Sequence, residues 1–212
     1  MNPFNLSRRS LLKGTSALTA AAILAAHPGA RLVRAQGSAE YDLIDLGPFE
    51  VEVTEGPMIG RGTITGINEA GSICGSIGVE AARFSPATWS KSGKLKRLKS
   101  GRMGGQARDI NDDGIVAGHE FESDGELEDR RPVVWRDGEP IELPDLSGDT
   151  AGARGSASSI NNDGVIGGEV RDGNFSRAVL WIDDVAQPLA DAPAGPAISV
   201  RDLNERGTVL AS

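Results

Sequence analysis

One ten-residue phrase occurs four times in the chain, and it limits the fold more than any other feature of the sequence. Each copy contains an apolar residue, Asn, two variable residues and Gly, and ends in a short run of apolar or small residues. The copies read GINEAGSICG, DINDDGIVAG, SINNDGVIGG and DLNERGTVLA. Their asparagines are Asn68, Asn111, Asn161 and Asn204, at separations of 43, 50 and 43 residues. Repetition at such a period indicates an array of similar structural units.

A second phrase lies between the copies and contains all the tryptophans of the protein. Trp89, Trp135 and Trp181 are separated by 46 and 46 residues, and each precedes a turn signal and a Leu. A large aromatic residue at one fixed repeat position is typical of packing between neighbouring units. The alternative is a sugar-binding face on which the indole rings stack.

The local chemistry of each unit predicts short strands and tight turns. Runs such as IVAG, VIGG and PVVW are too short for helices and are bounded by Asn, Asp and Gly. In each Asn-x-x-Gly turn the Asn side chain can accept a hydrogen bond from a backbone N–H two residues on. The glycines that supply positive φ are Gly71, Gly114, Gly164 and Gly207. The Trp phrase predicts a second hairpin in each unit.

These hairpins predict an all-β fold, a propeller-like array of units of about 45 residues with four strands each. About three and a half units fit the chain, near residues 41–98, 99–146 and 147–189, with a partial unit at 190–212. Tyr41 to Leu46 resembles a fourth strand, and it is the candidate that could complete the last unit and close the ring. A second copy of the chain could complete that unit instead.

The first 35 residues predict export. Arg8-Arg9 lies before an Ala-rich apolar run, and Val33 and Ala35 are the small residues of a cleavage site between Ala35 and Gln36. The pattern resembles a twin-arginine signal, which implies the twin-arginine translocase as a partner. The expected location of the mature domain, residues 36–212, is the periplasm, the cell surface or the medium. An uncleaved membrane anchor is the alternative, although the apolar run is short for a span.

The charge of the chain argues against one class of ligand, and its single cysteine argues against one way of stabilising the fold. Removing residues 1–35 removes five basic and no acidic residues, which leaves 17 basic against 30 acidic residues and a net charge of −13. Nucleic-acid binding is therefore not expected. Cys74 is the only cysteine, so packing rather than an intramolecular disulfide must hold the domain, and its repeat position predicts a core residue.

Candidate chemistry is sparse. His119 is the only histidine after residue 35, and we expect it in a solvated acidic loop, His119 to Arg131, rather than in a catalytic triad. The tips NDDG and NNDG resemble fragments of calcium loops. The equivalent tips NEAG and NERG lack the aspartate, so the turn is favoured and no cofactor is predicted, with calcium as the alternative.

The order Ile-Asn-x-x-Gly, an apolar run, an apolar-Trp step and a closing Leu resembles the HAF-repeat family of exported bacterial proteins from Tyr41 onward. The resemblance implies a propeller-like repeat domain without assigned catalytic residues. We therefore predict a non-enzymatic binding or interaction module whose partner is an extracytoplasmic ligand or protein, or a second copy. The alternative is a carbohydrate-active enzyme with paired carboxylates at a propeller centre.

Overall fold

The computed structural model describes residues 31–34, 40–43, 50–51, 58–59, 62–80, 83–121, 129–189 and 199–212. The described residues contain strands and turns but no α-helix, so the all-β prediction is confirmed. In chain order the strands are β1 Arg31–Arg34, β2 Glu40–Leu43, β3 Glu50–Val51, β4 Met58–Ile59, β5 Gly62–Ile67, β6 Ile73–Glu80, β7 Arg83–Trp89, β8 Leu95–Arg97, β9 Gly105–Ile110, β10 Val116–Phe121, β11 Arg130–Arg136, β12 Glu139–Glu142, β13 Gly155–Ile160, β14 Ile166–Asp172, β15 Phe175–Ile182, β16 Val185–Pro188, β17 Val200–Leu203 and β18 Val209–Ala211.

Three antiparallel four-stranded sheets form the centre of the described structure. In each sheet consecutive strands pair, which gives the orders β5-β6-β7-β8, β9-β10-β11-β12 and β13-β14-β15-β16. We name these sheets the first, second and third units, and the two-stranded sheet β17-β18 the last unit. Each unit begins with the strand that leads into an Asn-x-x-Gly tip, so the sequence repeat and the structural unit coincide.

Successive units pack through their first strands. Strand β9 contacts β5, β6 and β7, strand β13 contacts β9, β10 and β11, and strand β17 contacts β13, β14 and β15. The first strands of neighbouring units are therefore adjacent, and each one covers a face of the preceding sheet. This arrangement brings the four tips to one side of the array.

The core lies in the joints between units. One buried cluster combines Cys74 and Ala107 with Trp135, and another combines Ala117 and Ala157 with residues of the third unit. The three tryptophans are at most 1% exposed. Two of them donate from Nε1 to the backbone of a preceding loop, Trp135 to Lys99 O at 2.8 Å and Trp181 to Pro144 O at 2.7 Å. Since the indole rings are buried, they offer no face to a sugar.

The N-terminal strands differ from the predicted ring closure. Strand β2, which overlaps the predicted closing strand, pairs with β1 in the register Arg31↔Leu43, and β17-β18 form a separate sheet. In the full chain, a hairpin between close segments has a lower loop-closure entropy cost than pairing with the far end of the chain. Arg8, Arg9, Ala35 and Gln36 lie outside the described residues. Within the described part of the chain, no helix is long and apolar enough to cross a membrane.

Candidate functional site

The asparagine of each tip closes its own loop. Its Oδ1 accepts the backbone N–H four residues on, not two residues on as the sequence predicts; only Asn204 also accepts the nearer N–H, from Arg206. The bonds are Ser72 N to Asn68 (2.8 Å), Ile115 N to Asn111 (2.9 Å), Val165 N to Asn161 (2.9 Å) and Thr208 N to Asn204 (2.9 Å). The glycines of the tips have φ between 74° and 79°, which favours residues without a Cβ.

The same asparagines also connect neighbouring units. Asn68 Nδ2 donates to Asn111 O at 2.9 Å, and Asn111 Nδ2 donates to Asn161 O at 3.2 Å. These three side chains are 5%, 1% and 3% exposed, so each bond is shielded from water. An amide is required because one end of the side chain accepts within its loop while the other donates to the next unit.

The acidic residues of the tips take part in the same connections. Asp112 Oδ1 accepts from Glu69 N at 2.7 Å, and Asp112 Oδ2 accepts from Asn162 Nδ2 at 2.6 Å. Glu205 Oε2 accepts from Asn162 N at 2.8 Å. These carboxylates bind amide hydrogens of a neighbouring tip. Among the described residues, no group of three or more His, Cys, Asp or Glu side chains could hold a metal ion.

A second repeated feature lies three residues before each asparagine. At this position of every first strand, one residue has no partner on the second strand, which is a β-bulge. The bulged residues are Thr65, Arg108, Ser158 and Arg201. Thr65 Oγ1 donates to Ala107 O at 2.9 Å, and Ser158 Oγ donates to Val200 O. The two hydroxyls therefore bond the backbone of the next unit, whereas the second and last units carry arginine at this position.

The arginine of the second unit lies in a positive field. Arg108 is half-buried, and no hydrogen bond or ion pair joins it to another residue of the described structure. Burial and the charges of Arg130 and Arg201 lower the pKa of Arg108 below its ordinary value. Arg130 itself forms an ion pair of 3.8 Å with Glu169. Sequence reasoning missed this cluster, although comparison of the four copies shows Arg at the same repeat position in ARDI and VRDL.

The prediction of a solvated His119 is wrong. His119 lies in β10, opposite Gln106 and Pro132, and is 1% exposed. Its Nδ1 lies 2.9 Å from Ser156 Oγ across the joint to the third unit, and its ring packs edge-on against Phe121 at 5.1 Å. The expected loop is therefore shorter, because β10 continues through Phe121. Residues 122–128 lie outside the described part.

Burial determines the charge of His119. Loss of solvent, followed by the charges of Arg108 and Arg130, lowers its pKa to about 3. The imidazole is thus neutral near pH 7, and its hydrogen bond with Ser156 is one between two neutral groups. A solvent-borne substrate has no access to this pair, because Ser156 is 6% exposed and His119 1%.

Two glutamates of the second unit lie beside Arg102. Glu120 Oε1 accepts from Gly101 N at 3.0 Å, and Glu142 Oε1 accepts from Arg102 Nε at 3.0 Å. Burial raises the pKa of Glu120, and the charge of Glu142 raises it further, while bonds with Ser100 and Gly101 and the charge of Arg102 oppose the rise. Glu120 is only 1% exposed, so this pair does not offer two accessible carboxyls to a sugar substrate.

A cleft of about 340 Å³ lies between the first and second units. Its charged lining residues are Lys96, Asp113, Arg136 and Asp137. Arg136 binds Asp184 of the third unit through two bonds of 2.8 and 2.7 Å, so its cation is already neutralised. The cleft contains neither His119 nor the glutamate pair.

Comparisons of the chain with protein-family models, with curated proteins and with solved structures find no match.

Proposed function

We propose that the chain is an exported, non-enzymatic repeat protein of the HAF-repeat kind, a propeller-like array that acts as an interaction module. The Arg8-Arg9 signal and the four-stranded repeats support this proposal. The observation that carries it is the exposure of Leu210, which is 64% exposed although the equivalent residues of the other units, Cys74, Ala117 and Gly167, are buried. The support comes from the position of Leu210, since the equivalent positions of the other units all pack against a neighbouring unit.

The side-chain volumes at the joints decide which contact Leu210 can make. Within the array, a small residue on the second strand meets a residue on the first strand of the next unit. The pairs are Cys74 with Ala107, Ala117 with Ala157, and Gly167 with Val200. Leu210 against Ile64, the equivalent residue of the first unit, would place two large side chains in that space. Such overpacking is unfavourable, so the first unit of another copy does not fit in this register.

The partner that fits is a second copy bound symmetrically through β18. This strand is an edge of its sheet in the described structure, and edge strands present unpaired backbone groups. Two β18 strands that pair around a two-fold axis form a sheet β17-β18-β18-β17. That sheet has four strands, as the complete units do, and it places Leu210 against Leu210. Two-fold dimers are also the commonest oligomers.

The solution mass of residues 36–212 tests the proposal. We expect a dimer that Leu210→Glu converts to a monomer, because a carboxylate would be buried at the contact. Phe175→Glu is the matched control, since Phe175 is 56% exposed but lies on β15; this variant should remain dimeric.

Oxidation of the thiol in the Leu210→Cys variant tests whether the contact between the two copies is two-fold symmetric. Two copies related by the axis should form a covalent dimer, and Cys74 does not compete because it is buried. A monomeric mass for the wild-type domain at every concentration would show that the proposed interaction does not exist. Dimers that cross-link only between Ile64→Cys and Leu210→Cys would show a head-to-tail contact instead.

A further inference from the structure

The bulged residues of the second, third and last units form a row across three neighbouring first strands. Arg108 lies on β9, Ser158 on β13 and Arg201 on β17, each at the same repeat position. Because β13 contacts both β9 and β17, the two arginines flank Ser158. We name these three residues the arginine row.

Architecture explains the serine of the row but not the arginines. Ser158 Oγ donates to Gly167 O at 3.1 Å and to Val200 O, so it serves the joint as Thr65 does in the first unit. Arg108 has no hydrogen-bond or ion-pair partner within the described structure. Arg201 uses Nε to donate to Ser212 Oγ at 2.9 Å, which leaves its two terminal nitrogens for another acceptor.

The charge around the row is positive in a chain whose net charge is −8. The charges of Arg130 and Arg201 both act on Arg108, and Arg130 forms an ion pair of 3.8 Å with Glu169. His119 adds no charge, since its imidazole is neutral near pH 7. Repulsion between the like charges makes such a cluster energetically unfavourable unless an anion binds to it.

We propose that the arginine row binds an oxyanion, the carboxylate or phosphate group of a ligand, between Arg108 and Arg201. A guanidinium offers parallel N–H groups that match two oxygens of either group, which a lysine does not. The inference rests on the proposed role as a binding module and names the chemical class of its ligand. Arg108 lies on β9, outside the β17-β18 sheet that makes the β18 contact, so its substitution tests the anion site separately from the dimer.

Calorimetric titration of residues 36–212 with inorganic phosphate and with galacturonate tests the site. Potassium chloride at matched ionic strength is the reference, because chloride screens charge without bidentate bonding. We expect saturable binding of at least one of the two anions, weakened about tenfold or more in Arg108→Gln. The arm that binds more tightly distinguishes phosphate from carboxylate ligands. Arg177→Gln is the matched control, since Arg177 is exposed and paired with Asp172, and it should bind as the wild type does.

Two further measurements separate binding from a structural role. Without added anion, Arg108→Gln should melt no lower than the wild type, because its removal relieves repulsion. Arg108→Gln should also keep the dimeric mass, because Arg108 lies on β9 and not in the β17-β18 sheet. Absence of binding to both anions beyond the chloride reference, or unchanged affinity in Arg108→Gln, would overturn the proposal.

Discussion

The buried imidazole of His119 makes the stability of the domain depend on pH. The residue is 1% exposed, and burial together with the charges of Arg108 and Arg130 lowers its pKa to about 3. In the unfolded chain the pKa of a histidine is about 6.5. The unfolded state therefore binds a proton more readily than the folded state. The contribution of the neutral imidazole to the free energy of unfolding is fully present above about pH 6.5, and it is lost as the pH falls from there towards 3.

The size of the loss follows from this difference in pKa. Between pH 7 and pH 5, protonation of the unfolded imidazole stabilises the unfolded state by about 2 kcal/mol, because each pKa unit corresponds to about 1.4 kcal/mol. The folded imidazole stays neutral over this range, so its own pKa hardly enters the result. One side chain should thus remove a substantial part of a typical free energy of unfolding.

Urea unfolding of residues 36–212 at the two pH values measures this effect. We expect the wild type to lose about 2 kcal/mol more than His119→Gln between pH 7 and pH 5, because Gln has no proton to bind. The raised pKa of Glu120 acts in the opposite direction, since its folded carboxyl gains a proton first as the pH falls. That contribution is common to both proteins and cancels in the difference.

Nuclear magnetic resonance gives an independent measurement that needs no variant. His119 is the only histidine of residues 36–212, so one imidazole signal reports on it. The signal should not titrate between pH 7 and pH 5. A titration midpoint near 6.5 would refute the burial argument. An equal loss of stability in the wild type and His119→Gln would refute it as well.

Two substitutions test the joints. Asn111→Ala should destabilise the domain by about 2–4 kcal/mol, because it leaves Ile115 N and Asn161 O without their partners. The control is Asn204→Ala, since Asn204 is exposed, and it should lose only about 1 kcal/mol. Denaturant unfolding measures both losses. Gly167→Ala should cost about 1–3 kcal/mol and speed hydrogen exchange in β17-β18, since a Cβ there lies 2.5 Å from Val200 Cγ1. Gly101→Ala, whose Cβ meets only Glu120 Oε2 at 3.7 Å, should leave both measurements near the wild type; equal effects from the two glycine variants would contradict the packing argument.

The sequence predicts the local architecture because its signals are local. Asn, Gly and Trp recur at fixed spacing, and each restricts the backbone or the packing within a few residues of itself. The relations between units have no such signal. The stacking of the sheets determines that Asn68 donates to Asn111 and that His119 lies beside Ser156. The sequence predicts a loop at His119 because its acidic neighbours favour one, whereas pairing with β9 and β11 extends the strand through this residue.

Arg108→Thr separates a binding role from a structural one for the arginine row. Thr65 and Ser158 donate to the next unit at this repeat position, so a threonine at 108 should donate to Ala157 O in the same way. The new bond should stabilise the domain by about 0.5–1.5 kcal/mol, and loss of a half-buried cation from a positive cluster adds to that gain. Anion binding should be lost in the same variant, because the guanidinium is gone. Denaturant unfolding and phosphate titration of one preparation measure both effects. A variant that binds no anion but is less stable than the wild type would show that Arg108 supports the fold, whereas a more stable variant without anion binding shows a residue retained at a cost to stability for the sake of its ligand.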